Sequence, residues 1–132
     1  MTARVGFCCK YLHPDQTQKP KLLEEIQRPL TEKCTTVAWL NRQTVNEAEQ
    51  RLYDIMVHNM QSAYNLVEYV GNLKPGLRMC RIGSNQLPMY TQPDWRYFWQ
   101  QADIRSELAV GYARVGELAR QLGVRLSFHP GQ

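Results

Sequence analysis

The chain has 132 residues, is 43% hydrophobic and 21% charged, and carries a net charge of +4 with a sequence pI of about 9.0. That length is typical of one domain, and the composition excludes wholesale disorder or a fibrous fold. No apolar run approaches the ~20 residues of a membrane span, and the opening MTARVGFCCKYLHPD lacks the apolar core of a secretory signal, so a cytoplasmic protein without a membrane partner is expected.

Charge is uneven: residues 1–43 and 77–132 are each net +3, whereas 44–76 are net −2. This balance suits a polyanionic partner and equally suits a solvated basic surface. Cys8, Cys9, Cys34 and Cys80 include no CxxC pair, so reduced thiols are expected rather than a zinc knuckle or a disulfide framework.

Residues 3–9 (ARVGFCC) read as a short buried strand, being β-tolerant and without helical period. Residues 10–43 form a long polar segment broken by Pro14, Pro20 and Pro29, in which Lys21–Gln27 has room for a turn or two of helix. Connections of this length in a compact domain are usually functional. A helix is predicted over 44–70. Thr44 and Glu47 have capping-box spacing, and apolar residues at 45, 48, 52, 55, 56, 63, 66, 67 and 70 form one stripe. Gly71 and then Lys74-Pro75-Gly76 end it. His58 and Asn59 lie beside the stripe, where His58 is expected as a partly buried or surface helix histidine.

Residues 77–82 (LRMCRI) read as a second strand, in which Arg78 and Arg81 have opposite parity and so point to opposite faces. Residues 85–99 (NQLPMYTQPDWRYFW) form a second long loop containing Tyr90, Trp95, Tyr97, Phe98 and Trp99. A second helix is predicted over 102–122, with Asp103 as its cap and Gly123 as its stop. Residues 124–129 (VRLSFH) read as a third strand, followed by Pro130-Gly131-Gln132. Strands alternating with crossover helices make a parallel sheet, and in such folds function gathers in the loops after the strands.

His129 stands at a strand end, where an imidazole serves either as a metal ligand or as a hydrogen-bonded structural group. The rings of the 88–99 loop either fill a core or, interleaved with Arg96, stack on nucleic-acid bases. His13 and Cys34 lie in the first long segment without a pattern that assigns them a role.

Three blocks, RVGFCC at 4–9, RIGSNQLPMYTQP at 81–93 and RLSFHPGQ at 125–132, together resemble the N-terminal part of the UV damage endonuclease family, the UvdE/UvsE type. WLNR at 39–42 is similar to that family's TxxNR region. The resemblance implies a DNA repair endonuclease that nicks damaged double-stranded DNA on the 5′ side of UV photoproducts with a cluster of divalent metals, manganese being usual. It also implies that the chain is the N-terminal β-α-β-α-β part of a TIM (β/α)8 barrel, incomplete as it stands.

Carried over by residue, His129 matches a metal ligand, and Gln92 stands where the family has a metal-binding histidine, although an amide oxygen is a poorer ligand. Gln132 matches a damage-probing glutamine, and Phe7 an opening-strand tyrosine that contacts the lesion. Tyr90, Asn41 and Arg42 complete the DNA-contacting candidates. The family's other ligands belong to later strands, so the 132-residue chain is expected to be inactive alone and to need the rest of the barrel, or self-association, for stability. Two alternatives stand beside this reading: a non-catalytic nucleic-acid-binding remnant and a xylose-isomerase-like sugar enzyme.

Overall fold

A computed structural model describes residues 7–8 (backbone), 16–82 and 86–128. Three parallel strands, β1 (Phe7–Cys8), β2 (Met79–Ile82) and β3 (Arg125–Phe128), form a sheet in the order β1-β2-β3. Phe7 pairs with Cys80 in register, and Cys80 with Leu126. Five helices accompany them: α1 (Pro20–Gln27), α2 (Val37–Asn41), α3 (Val45–Gly71), α4 (Tyr97–Gln100) and α5 (Ala102–Leu122). Among the described residues no helix is long and apolar enough to cross a membrane. Neither Cys34, which is exposed, nor Cys80, which is buried in β2, is in a disulfide.

The two long helices stand close to their expected bounds, and their ends explain why. The Thr44 side chain accepts the Glu47 N–H and starts α3. Gly123, at φ +66°, ends α5, and the Val124 N–H folds back to the Ala119 carbonyl, closing a Schellman-type turn. Asp103 does not cap α5. Gln101 is the N-cap residue, and Asp103 lies inside the first turn, where its charge favours the helix dipole.

Two short helices fall where irregular chain was expected. In α2, Thr36 caps the Trp39 N–H and Leu40 is fully buried, and α4 buries Phe98 and Trp99. The second strand begins at Met79 rather than Leu77, because Pro75–Leu77 forms a 3-10 turn. The parts of the first and third predicted strands at 3–6, 9 and 129 lie outside the described residues.

Alternation along β2 sorts the sheet faces. Cys80 and Ile82 are buried against Ala63, Leu66, Val67 and Val70 of α3 and Val115 and Ala119 of α5. Arg81, Arg125 and Ser127 are exposed on the opposite face. Arg78 lies just before β2, so its direction is set by the 3-10 turn and not by strand parity with Arg81. The Arg78 guanidinium turns back to donate to the carbonyls of Leu73 (2.9 Å) and Leu122 (3.2 Å), tying the ends of α3 and α5 together beneath the sheet.

Helix α3 has 27 residues, about 40 Å, while a four-residue strand spans about 13 Å. Half of the helix therefore has no sheet to cover. That half builds a second core: Ala48, Leu52 and Met56 pack with Leu40, Trp95, Phe98, Trp99 and Ile104. The site-bearing loops rest on this core.

At the other end of α3, a Cβ on Gly71 would lie 2.8 Å from the Leu122 Cβ, so glycine there sets the approach of α3 to α5. Gly71→Ala is expected to destabilise the protein by about 1–3 kcal/mol. Gly116→Ala, in α5 with nothing within 4 Å of the new methyl, is expected to stabilise it by about 0.5–1 kcal/mol. Thermal melts of the two variants should move in opposite directions.

Candidate nucleic-acid interface

The loop after β2 is shaped by one side chain and one ring. The Gln92 Oε1 accepts the backbone N–H groups of Asp94 (2.7 Å) and Trp95 (3.1 Å), and the Gln92 carbonyl accepts those of Trp95 and Arg96. These bonds close the turn that leads into the short helix α4. The Trp95 indole N–H then donates to Asn41 Oδ1 at 3.1 Å, and the Trp99 indole N–H donates to the Pro88 carbonyl at 2.8 Å. Met89 between them adopts φ +66°, a strained conformation that its packing against the loop core offsets.

The aromatic loop divides between its two readings. Trp95, Phe98 and Trp99 are buried, whereas Tyr90 is 57% exposed and Tyr97 39% exposed. The Tyr97 hydroxyl donates to Glu49 at 2.9 Å, and burial together with that carboxylate raises its pKa. Tyr90 is the aromatic ring most open to a base.

Of the seven residues singled out as site candidates, two are joined at this place and two more adjoin them in sequence. Asn41 and Gln92 both bond to Trp95. Arg42, exposed, follows Asn41 at the end of α2, and Tyr90 precedes Gln92 on the same loop. Phe7 is placed by its backbone beside Cys80 in the sheet, and its side chain lies outside the described part. His129 and Gln132 lie outside the described residues, as does His13.

A divalent cation does not fit what is described. Among the described residues no three His, Cys, Asp or Glu side chains converge. The oxygen that Gln92 would offer is engaged by two N–H groups.

Beneath the loops lies a buried polar network. Asn59 is fully buried in α3. Its Oδ1 accepts the Lys33 N–H at 2.6 Å, and its Nδ2 donates to the Lys33 carbonyl at 3.0 Å and to the Gln86 carbonyl at 3.1 Å. The Gln86 side chain donates to Glu32 Oε2 at 2.8 Å and accepts the Tyr112 hydroxyl at 2.6 Å. Burial, and secondarily the Glu32 charge, holds the Tyr112 phenol well above the ordinary tyrosine range. His58 Nε2 lies 2.8 Å from the Thr31 carbonyl, beside this network.

This network was missed from the sequence. Asn59 lies within the stripe and not beside it as expected: its spacing from 52, 55, 56 and 63 puts a polar side chain at a core position.

With this geometry in place, the comparison with known proteins is direct. The model of the UV-endonuclease UvdE family matches residues 13–132. The chain belongs to that family. Curated relatives include the UV DNA damage endonuclease of Bacillus anthracis (strain A0248), 24% identical over 100 residues. Another is the protein of that name from Bacillus mycoides (strain KBAB4), 26% identical over 86 residues. These alignments cover 76% and 65% of this chain but 29% and 25% of the relatives, so the chain spans less than a third of their length. The crystal structure of SacUVDE superposes with a TM-score of 0.64 at 20% identity, covering 98% of this chain and 36% of that one. The α/β fold described above is thus shared with part of a larger UvdE-type protein.

Two substitutions test the site's construction. Below the ordinary tyrosine pKa of 10.0 Tyr112 is neutral in both folded and unfolded chains. Above it the unfolded chain ionises first, so this site's contribution falls as pH rises past about 10. Tyr112→Phe should cost about 1 kcal/mol at neutral pH. Urea unfolding across an alkaline series should then show a shallower loss of stability than in the parent. Asn41→Ala strands the indole N–H of nearly buried Trp95 and should cost about 1–2 kcal/mol, with a shift in tryptophan emission.

Proposed function

We propose that the chain contributes the opening strands and DNA-contacting loops of a DNA repair endonuclease that acts on UV-damaged duplex DNA. The carrying observation is a coincidence of family and geometry. A UV-endonuclease family match over 13–132 coincides with the joining of the end of α2 to the loop that follows β2, where Trp95 bonds to both Asn41 and Gln92. Parallel α/β folds use that end of the sheet for function.

The parts have separate tasks in this reading. Exposed Arg42 and Arg96 supply cations for backbone phosphates, and the exposed Tyr90 ring offers a face on which an unstacked base can rest. Unstacking costs least where the base is already damaged, which gives a preference for lesions. Trp95, held by Asn41 and Gln92, fixes the rim to the loop core.

The reading extends to a (β/α)8 barrel in which later strands continue from β3. The polar face of Arg81, Arg125 and Ser127 would then line its interior. It also extends to metal-dependent hydrolysis on the 5′ side of the photoproduct, with manganese and with His129 as this chain's ligand. In such an enzyme the metals supply an activated hydroxide and neutralise the scissile phosphate. This chain's described residues bind and orient the duplex, so the segment alone binds without nicking.

Fluorescence anisotropy with a labelled duplex carrying one thymine dimer, beside its undamaged twin, tests the reading. Tighter binding to the damaged duplex, weakening steeply with salt, is expected. Arg42→Ala and Arg96→Ala should each weaken binding and lower the salt slope by about one. Absence of binding, or binding indifferent to salt, would sink the proposal. With Mn²⁺ added, the chain should leave the duplex intact. Calorimetric titration with Mn²⁺ should show weaker uptake in His129→Ala, and unchanged uptake would remove His129 from the ligand set.

A further inference from the structure

The two loops that carry the site candidates come from distant parts of the chain, yet one side chain bonds to both. Lys33 belongs to the segment leading to α2, with Asn41 and Arg42, and Gln86 opens the loop of Tyr90, Gln92 and Arg96. Asn59 pairs with both backbone groups of Lys33 as a peptide would, and with the backbone carbonyl of Gln86. Primary amides alone among side chains offer the carbonyl and the two N–H donors that this three-bond pattern requires. Asn59 is fully buried, so water does not substitute for a lost partner at little cost.

We infer that Asn59 is a positioning residue that couples the two loops into one rigid DNA-contacting rim, so that they open together and not separately. The inference rests on the DNA-binding reading for its consequence and on the hydrogen bonds for the coupling itself.

Asn59→Asp probes it with little change of shape. The carboxylate still accepts the Lys33 N–H but faces two carbonyls it cannot donate to, and burial raises its pKa above the ordinary value of about 3.9. Once protonated, it regains one donor. The charged or titratable groups around it are Lys33 and Glu32 on the first loop, His58 on α3 and Tyr112 on α5. All four are present in the parent, which is therefore the control at each pH.

At about pH 8, amide exchange in Asn59→Asp should speed up at least tenfold in both 31–36 and 86–92, while α5 and β2 stay protected. Affinity for the dimer-bearing duplex should fall about tenfold in the same sample. At about pH 5.5 both changes should shrink relative to the parent. Tyr112→Phe, which releases Gln86 from α5 but leaves Asn59 in place, should quicken exchange in 86–92 and 31–36 alike, because Asn59 still joins them.

If Asn59→Asp does not fold, native-state exchange of the parent in low urea reads the same coupling. The Lys33 amide and the Gln92 amide, which bonds to the Met89 carbonyl, should then report equal opening free energies and urea slopes. Separate opening of the loops in either experiment overturns the coupling. Loosening of both loops with unchanged duplex affinity overturns the positioning role. Failure of the parent itself to bind duplex overturns the DNA-binding reading and leaves the exchange result standing.

Discussion

The buried amide of Asn59 is the constraint from which the site takes its shape. It lies on α3 between the part that covers the sheet, residues 63–70, and the part that carries the loop core, residues 48–56. An apolar residue would suit either core. At the junction, however, the helix meets backbone, with the Lys33 N–H and the carbonyls of Lys33 and Gln86 arriving from two loops. Buried without partners, those groups would cost about 1–3 kcal/mol each. One asparagine satisfies all three.

The need for such a junction follows from the mismatch between helix and strand. A helix some 40 Å long beside strands some 13 Å long must project past the sheet, and its free half must bury itself against loops. Loops bring unpaired backbone groups, and the aromatic residues supply the bulk that short connections lack. Trp95 and Trp99 contribute both, since each buries a large ring and donates its indole N–H, Trp95 to the end of α2 and Trp99 to the loop itself. The rim therefore rests on a packed platform, and Tyr90 and Arg96 extend from it.

What was legible in the sequence had a repeating signal. Helices α3 and α5 show their stripes over five turns or more, and Thr44 and Gly123 mark ends through local chemistry that needs no distant partner. Helices α2 and α4, at five and four residues, are too short for a 3.6-residue period to recur. Asp103 was a sound cap by type, but Gln101 occupies that position. Within the site, motif resemblance singled out Asn41 and Gln92, yet nothing local says that both bond to Trp95. The Asn41–Trp95 contact bridges 54 positions, and such contacts leave no periodicity to read. The Asn59 network was hidden for the same reason, apart from its one polar interruption of the stripe.

The register of the sheet also sets an order of assembly. The pairing of β2 with β3 joins residues separated by the aromatic loop, the short α4 and α5, and α3 and α5 lie on the same face of that pair. The pairing of β1 with β2 must close a much longer stretch that includes α1, α2 and the whole of α3. Loop-closure entropy rises with that separation, and each contact must compensate it before the next can form. The segment from α3 to β3 thus collapses first around Cys80 and Ile82, and β1 is the last strand to dock. On a ribosome, β1 is made long before the strand it pairs with and waits for β2.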